Sequence, residues 1–237
     1  MSERSRMAQV VAQPGSWVER WLSSARFSRY LAEADGDRVR ALALYEWNSH
    51  LGQAMMHDVG HFEVALRNVY NETLTAGWRG SRHWLLDSGS PVNAPLMRTW
   101  RKQRIDMNTR NRSSVAEAVA RCGGRQASPD AVVAELNFGF WRHLSDAIHE
   151  KTLWVPYLHL AWPKKAQRQR IDAMIAAIND QRNRIAHHEP LFTQPVTAAS
   201  VLHAQHDVAV LLDMLIPELA AHVRQTSTVA AVLAARP

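Results

Sequence analysis

Apolar residues recur at three- and four-residue steps through most of the chain, the spacing of helices that bury one face. The longest run lies between Arg38 and about Leu74, uninterrupted by proline, and carries Leu44, Trp47, Leu51, Met55, Val59, Phe62, Leu66, Val69 and Thr73 on one stripe. Asp37, following Asp35-Gly36, is suited to cap its start. A second stripe of the same segment is polar, with Glu46, His50, Gln53, His57, His61 and Asn68. It suits a solvated face or the wall of a groove. Ahead of this helix the pattern predicts a short one through Trp17, Trp21 and Leu22, capped by Ser16, and another from about Arg26 to Ala34.

Residues 78–95 are rich in glycine, serine and proline and read as loop. Helices are expected over about 96–107 and 114–121, the second closed by Cys122-Gly123-Gly124 as a glycine C-cap. Ser128-Pro129 opens a helix that carries Phe138-Gly139-Phe140-Trp141, where Gly139 allows close approach or a kink. An apolar connector from Leu153 to Pro163 leads into a helix from about Lys164 to His187, striped by Ile171, Met174, Ile175, Ile178 and Ile185. After Thr193-Gln194-Pro195, a helix from Ala198 to about Leu215 packs Val201, Val208, Leu211, Leu212 and Leu215, and Pro217 opens a shorter one. Ser227 is suited to cap a terminal piece. No strand or hairpin signal stands out. The pattern predicts an all-α fold whose core is an antiparallel bundle of the long helix, the Phe-Gly-Phe-Trp helix, the 164–187 helix and its successor. Residues 1–15 read as a disordered tail, 16–225 as one domain, and 226–237 as a short C-terminal helix or tail.

Composition narrows the class. The 237 residues are 46% hydrophobic, which fits a globular chain rather than a disordered one. Nine tryptophans spread through every third of the sequence suit a shared core. The formal net charge of +6 suits a polyanionic partner. Its cations are dispersed, with clusters at Arg98, Arg101, Lys102 and Arg104, at Arg110 and Arg112, and at Lys164, Lys165, Arg168 and Arg170. Such clusters fit either a solvated surface or a nucleic-acid footprint. The single cysteine, Cys122, allows no intrachain disulfide and has no evident base beside it. No apolar stretch approaches the roughly 20 residues of a membrane span, and the N-terminus lacks the apolar core of a signal peptide. The expectation is a cytoplasmic protein with no membrane partner.

The chemistry concentrates in Asp180-Gln181-Arg182-Asn183-Arg184-Ile185-Ala186-His187-His188-Glu189-Pro190. Arg182 falls on the apolar stripe, one turn after Ile178, where an unpaired arginine is seldom buried. Pro190 disfavours helix at Glu189, so the helix is expected to close near His187 or His188. Arg182 and His187 diverge by about 140° around an ideal helix and lie about 7.5 Å apart along it. Asn183 and His187 share a face, as do Arg184 and His188. An ordinary helix C-terminus also favours cations in its last turn. Elsewhere, His57 and His61 have the i, i+4 spacing of a zinc-protease helix, but Asp58 replaces the usual glutamate and no third ligand is evident. Glu63 and Arg67 form an i, i+4 pair of the orientation that stabilises a helix.

The Arg-Asn-Arg-Ile-Ala-His-His-Glu-Pro-Leu stretch resembles the signature of the Abi-like abortive-infection proteins, a family of the HEPN superfamily marked by an Arg, a polar residue next, and a His. Three further segments resemble the same family in the same order: Phe62-Glu63-Val64-Ala65-Leu66-Arg67-Asn68, Glu135-Leu136-Asn137-Phe138-Gly139-Phe140-Trp141, and Leu153-Trp154 with Leu160-Ala161-Trp162-Pro163. The resemblance runs from about Phe27 to about Leu215. It implies a HEPN-type bundle with extra terminal helices, and a metal-independent endoribonuclease active in phage defence or as a toxin. Cleavage by the ribose 2′-OH needs a proton acceptor and donor, a role suited to His187, and a cation beside the phosphate, suited to Arg182. Asn183, Arg184, His188, Glu63, Arg67 and Asn68 are expected to support these or bind RNA. No cofactor or metal ligand set is implied. RNA, a second copy of the chain and a cognate antitoxin are the implied partners. A HEPN-like module that binds RNA or protein without turnover is the alternative.

Overall fold

A computed structural model describes residues 14–192 and 198–237. Most of the expected N-terminal tail, and the Thr193-Gln194-Pro195 break, lie outside those residues. In chain order the helices are α1 (Trp17–Leu22), α2 (Ser24–Glu33), α3 (Arg38–Gly77), α4 (Thr109–Arg121), α5 (Pro129–Glu135), α6 (Phe138–His143), α7 (Arg168–Ala186), α8 (Ala198–Leu215), α9 (Pro217–Thr226) and α10 (Val229–Ala234). Two short strands, β1 (Met97–Trp100) and β2 (Gln103–Asp106), lie between α3 and α4. The fold is all-α.

The 40-residue α3 is the spine. Asp37 starts it as expected, its carboxylate accepting the Val39 and Arg40 amides at 2.9 and 3.1 Å. One half of α3 packs with α6, α7 and α8 around Phe62, Leu66, Trp84, Trp141 and Leu211. The other half packs with α2 and α10 around Phe27, Tyr30, Leu44, Leu51 and Val229. The indole of Trp47 donates to the Val232 carbonyl, which fastens α10 to the spine. The expected stripe holds as far as Leu66 and then drifts, so that Tyr70 and Leu74 are buried where Val69 and Thr73 were expected. Beyond Leu66 the buried positions continue in steps of four, to Tyr70 and Leu74, where a step of three was expected.

Three expectations are corrected. Residues 96–107 are not a helix but the β1–β2 hairpin, paired antiparallel with Met97 opposite Asp106 and Trp100 opposite Gln103. Its two-residue turn puts Arg101 and Lys102 at φ 48° and 66°. Turns of this kind usually announce themselves by Asn-Gly or Asp-Gly, and a basic pair carries no such signal. Asp106 closes the hairpin by accepting the Leu96 and Asn108 amides and pairing with Arg112.

Second, the Ser128-Pro129 helix does not run through to the Phe-Gly-Phe-Trp segment. It stops at Glu135, and Asn137 caps a separate helix by accepting the Phe140 amide at 3.0 Å. A Cβ on Gly139 would lie 3.2 Å from that Asn137 oxygen, so the glycine makes room for the cap rather than for a kink. Third, Ser16 occupies the α1 N-cap position, but its hydroxyl makes no capping bond. The cap that forms is one helix later, where Ser23 accepts the Arg26 amide.

Candidate functional site

Helix α7 buries Ile171, Ile175 and Ile178 against the core, and the next turn of that face carries Gln181 and Arg182. Gln181 is the deeper of the two; Arg182 and Ile185 are half-buried. The Arg182 Nε is shielded from solvent and has no hydrogen-bond partner. No hydrogen bond or ion pair engages the rest of its guanidinium among the described residues. Its charge is felt by Glu63 on α3.

Burial pushes the Glu63 carboxyl above its usual range, and the positive charges of Arg182 and Arg67 with the Phe138 amide only partly offset that. The expected Glu63–Arg67 contact pair does not form. Arg67 instead donates to the Ala134 carbonyl at 3.3 Å and to the Asn68 side chain at 3.4 Å, tying α3 to α5, while Asn68 itself is exposed. Glu63 thus feels the charge of Arg182, whereas Arg67 and Asn68 form a contact of their own.

The end of α7 is built by backbone hydrogen bonds. His187 is the C-cap residue and is exposed. His188 follows at φ 55°. Its amide donates to the Ile185 carbonyl and the Glu189 amide to the Arg184 carbonyl, both at 2.9 Å. That pair of bonds is a Schellman motif, whose left-handed position usually holds glycine. Arg184 does not stack on His188, as their spacing suggested. Its guanidinium pairs with Glu189 at 3.0 Å across the motif, and His188 is left exposed.

The motif is clamped to the spine. Buried Asn48 accepts the Leu191 amide at 2.6 Å and donates to the Glu189 carbonyl at 3.3 Å. A Cβ on Gly52 would lie 3.1 Å from Ile185 Cγ2, so the glycine permits the close crossing of α3 and α7. A cleft of about 230 Å³ opens beside this crossing, lined in part by Tyr45, Asn48, Gly52, Ile185 and His188. Asn48, Gly52 and Tyr45 escape a reading from sequence. The one available signal is a polar amide and a glycine each directly following a stripe residue, Trp47 and Leu51.

The structure therefore places Asn183, Arg184, His187 and His188 together at one helix end, with Arg182 half-buried on the preceding turn, its charge felt at Glu63. No hydrogen bond joins Arg182 to His187. Chemically, the arrangement offers an unpaired guanidinium for an oxyanion and an accessible imidazole for proton transfer.

The histidines of α3 lead elsewhere. The rings of His57 and His61 lie 4.8 Å apart, and that of His222 lies 5.9 Å from His61. Burial, then the charges of His57 and His222, push the His61 imidazole below its usual range. Asp58, nearly inaccessible, accepts from His57 and from Ser227 at 2.9 and 2.7 Å, locking the α9–α10 corner to the spine. Among the described residues, no three or more His, Cys, Asp or Glu side chains are grouped to hold a metal ion. No helix of the described residues is long and apolar enough to cross a membrane.

No curated protein and no solved structure matches the chain. A family model described as Abi-like protein matches residues 22–193, a span that takes in α2 through α7, the capped α6 helix and the Schellman-terminated signature. Covering well over half of the 237 residues, that match places the chain in the Abi-like protein family.

Proposed function

We propose that this protein is a metal-independent endoribonuclease of HEPN type, acting in abortive infection against phage or as a toxin. The observation that carries the reading is Arg182, a half-buried guanidinium left unpaired one turn before an exposed imidazole. Glu63 lies in the field of this charge, but no hydrogen bond or ion pair engages the guanidinium among the described residues, which leaves it available to an oxyanion. In the reaction, His187 removes the proton of a ribose 2′-OH, whose oxygen attacks the adjacent phosphorus. The bond to the 5′-oxygen breaks, and the imidazolium returns a proton to that leaving oxygen. Arg182 holds the charge that accumulates on the non-bridging oxygens. The products are a 2′,3′-cyclic phosphate and a 5′-hydroxyl. Asn183, one turn before His187, and His188 beside it orient the imidazole or the phosphate.

The positions of Arg182, half-buried on α7, and His187, exposed at its C-cap, support a site shared between two copies of the chain. One chain presents the two groups from different faces of the helix, whereas a two-fold contact sets the same patch against itself and brings each beside its counterparts. A cognate antitoxin would cover this surface.

Incubation with total RNA, wild type against His187→Ala, tests the reading, with product ends examined and EDTA present in one arm. Cleavage that survives EDTA and vanishes in the variant is the expected result. Loss in EDTA with rescue by a metal overturns the mechanism. The second reading, a module that binds RNA or protein without turnover, is favoured because no hydrogen bond fixes the His187 ring among the described residues. It gains if wild type binds RNA and leaves it intact.

A further inference from the structure

The α1–α2 corner carries two aromatic rings that packing does not explain. Trp17 and Trp21 are 47% and 53% exposed, although tryptophans such as Trp84 and Trp141 elsewhere in the chain are buried. One turn apart on α1, their rings are inclined by only 16° with centroids 6.1 Å apart. The edge of Trp21 is braced by Tyr45 of α3 at 5.1 Å. Beside Trp21 runs a groove of about 460 Å³ lined by Glu19, Arg20, Trp21, Arg26, Tyr45 and His188, among others. Tyr45 and His188 also line the cleft at the end of α7. The groove therefore continues into the signature motif, one residue from His187.

Its charge is one-sided. Among the described residues Glu19 is the only acid in the groove lining, and it is consumed by a bidentate pair with Arg38 at 2.6 and 2.9 Å. Arg38 also donates to the Pro14 and Gly15 carbonyls, which pins the start of α1 to the start of α3. No carboxylate pairs with Arg20 or Arg26 among the described residues. Two aromatic faces, two unneutralised guanidinium groups and a rigid mount form the combination that binds single-stranded nucleic acid, bases stacking on rings and phosphates meeting cations.

We infer that the α1–α2 corner is a stacking subsite for single-stranded RNA, in which Trp17 and Trp21 take unpaired bases and Arg20 and Arg26 take the phosphates of a strand leading past His188 to His187. The inference rests on the ribonuclease reading only for the class of ligand. A second copy of the chain docking on the same rings is the competing occupant.

The test uses the full chain carrying His187→Ala, so that RNA is bound and not consumed. Anisotropy is read with a fluorescent 12-nucleotide single-stranded RNA and with an abasic strand of equal length. Trp21→Ala and Trp17→Ala are each expected to weaken the RNA by roughly 5- to 100-fold and the abasic strand by less than twofold. Trp21→Phe recovers most of the loss. Arg20→Gln and Arg26→Gln weaken both strands, each lowering the salt slope by about 0.7. Both tryptophans are exposed, and a failure of one variant to fold leaves the other to decide. Equal affinities for all tryptophan variants, or no binding of the strand by the parent, overturn the inference. So does sedimentation showing that Trp21→Ala changes only the association state. Cleavage of total RNA with His187 restored separates the two readings. Tryptophan-dependent binding without cleavage removes the ribonuclease and keeps the subsite, whereas cleavage indifferent to both tryptophans does the reverse.

Discussion

His188 holds a left-handed backbone at φ 55° that most side chains avoid, and its side chain makes no hydrogen bond there among the described residues. The Schellman bonds of its own and the Glu189 amide require that conformation, and glycine would adopt it without the Cβ penalty. A histidine kept at such a position is strain retained at a candidate site. His188→Gly is therefore expected to leave thermal stability unchanged or raised by up to about 1 kcal/mol, while lowering RNA cleavage. His188→Val should destabilise, because a β-branched residue tolerates positive φ poorly. A melt in which the glycine variant unfolds well below wild type would show that the imidazole, not the backbone, holds the turn. At this scale the sequence exposes residue types better than their directions. Arg182 is legible as a cation on an apolar stripe, and Pro190 as a stop just beyond His188. That Arg184 turns to Glu189, and Arg67 to the Ala134 carbonyl, depends on which oxygens the tertiary fold brings near. Neither partner can be read from i, i+4 spacing.

The end of α7 stands where it does because α3 accepts it. Asn48 satisfies a Leu191 amide that is otherwise shut away from water, and leaving such a donor bare costs about 1–3 kcal/mol. Asn48→Ala is expected to lose about 2 kcal/mol of stability and to lower cleavage, while Asn48→Asp, which still accepts from Leu191, loses less. Equal melting of all three proteins would remove the clamp from the account. A second polar knot holds the stretch between α6 and α7. Buried His149 donates from Nδ1 to Asp146 at 2.9 Å, and its Nε2 meets Asn108 at 3.0 Å at the start of α4. Burial works against a charge on Asp146, but hydrogen bonds from His143, His149 and the His149 amide outweigh it and hold the carboxyl well below the usual range. A carboxyl depressed in the folded state stabilises in full above its unfolded value, near 3.9, and that contribution fades as pH falls toward the folded value. Asp146→Asn should therefore cost about 2 kcal/mol at pH 7, and the gap to wild type should narrow below pH 4 in acid unfolding curves. A gap that stays constant down to pH 2 would contradict it. Long helices are the legible elements, since α3, α7 and α8 each repeat their apolar pattern over four or more turns. The α5–α6 break and the hairpin are short, and each depends on one local device: the Asn137 cap and a basic pair at positive φ.

For the whole molecule, the spine arrangement leaves the signature on a free end of the bundle. Arg182 is half-buried on α7 and His187 sits exposed at its C-cap, five residues on, so a single chain presents the two groups from different faces of the helix. The bundle itself was readable from the order of apolar helices, but no feature of one sequence states where a second copy sits. A composite site has a consequence that an intrachain site lacks. Arg182→Ala and His187→Ala should each be inactive alone. Mixed and allowed to exchange subunits, they form heterodimers in which the intact His187 of the first variant faces the intact Arg182 of the second. One of the two sites in each heterodimer is then whole, and with random pairing activity should return to about a quarter of the wild-type level per chain. Diluting the wild type below its dimer dissociation constant should, by the same logic, lower activity per chain, because separated subunits hold only half of each site. If heterodimers form, as shown by differently tagged subunits copurifying, and no cleavage returns, Arg182 and His187 must act within one chain. The end of α7 would then have to loosen its Schellman turn to bring them onto one phosphate.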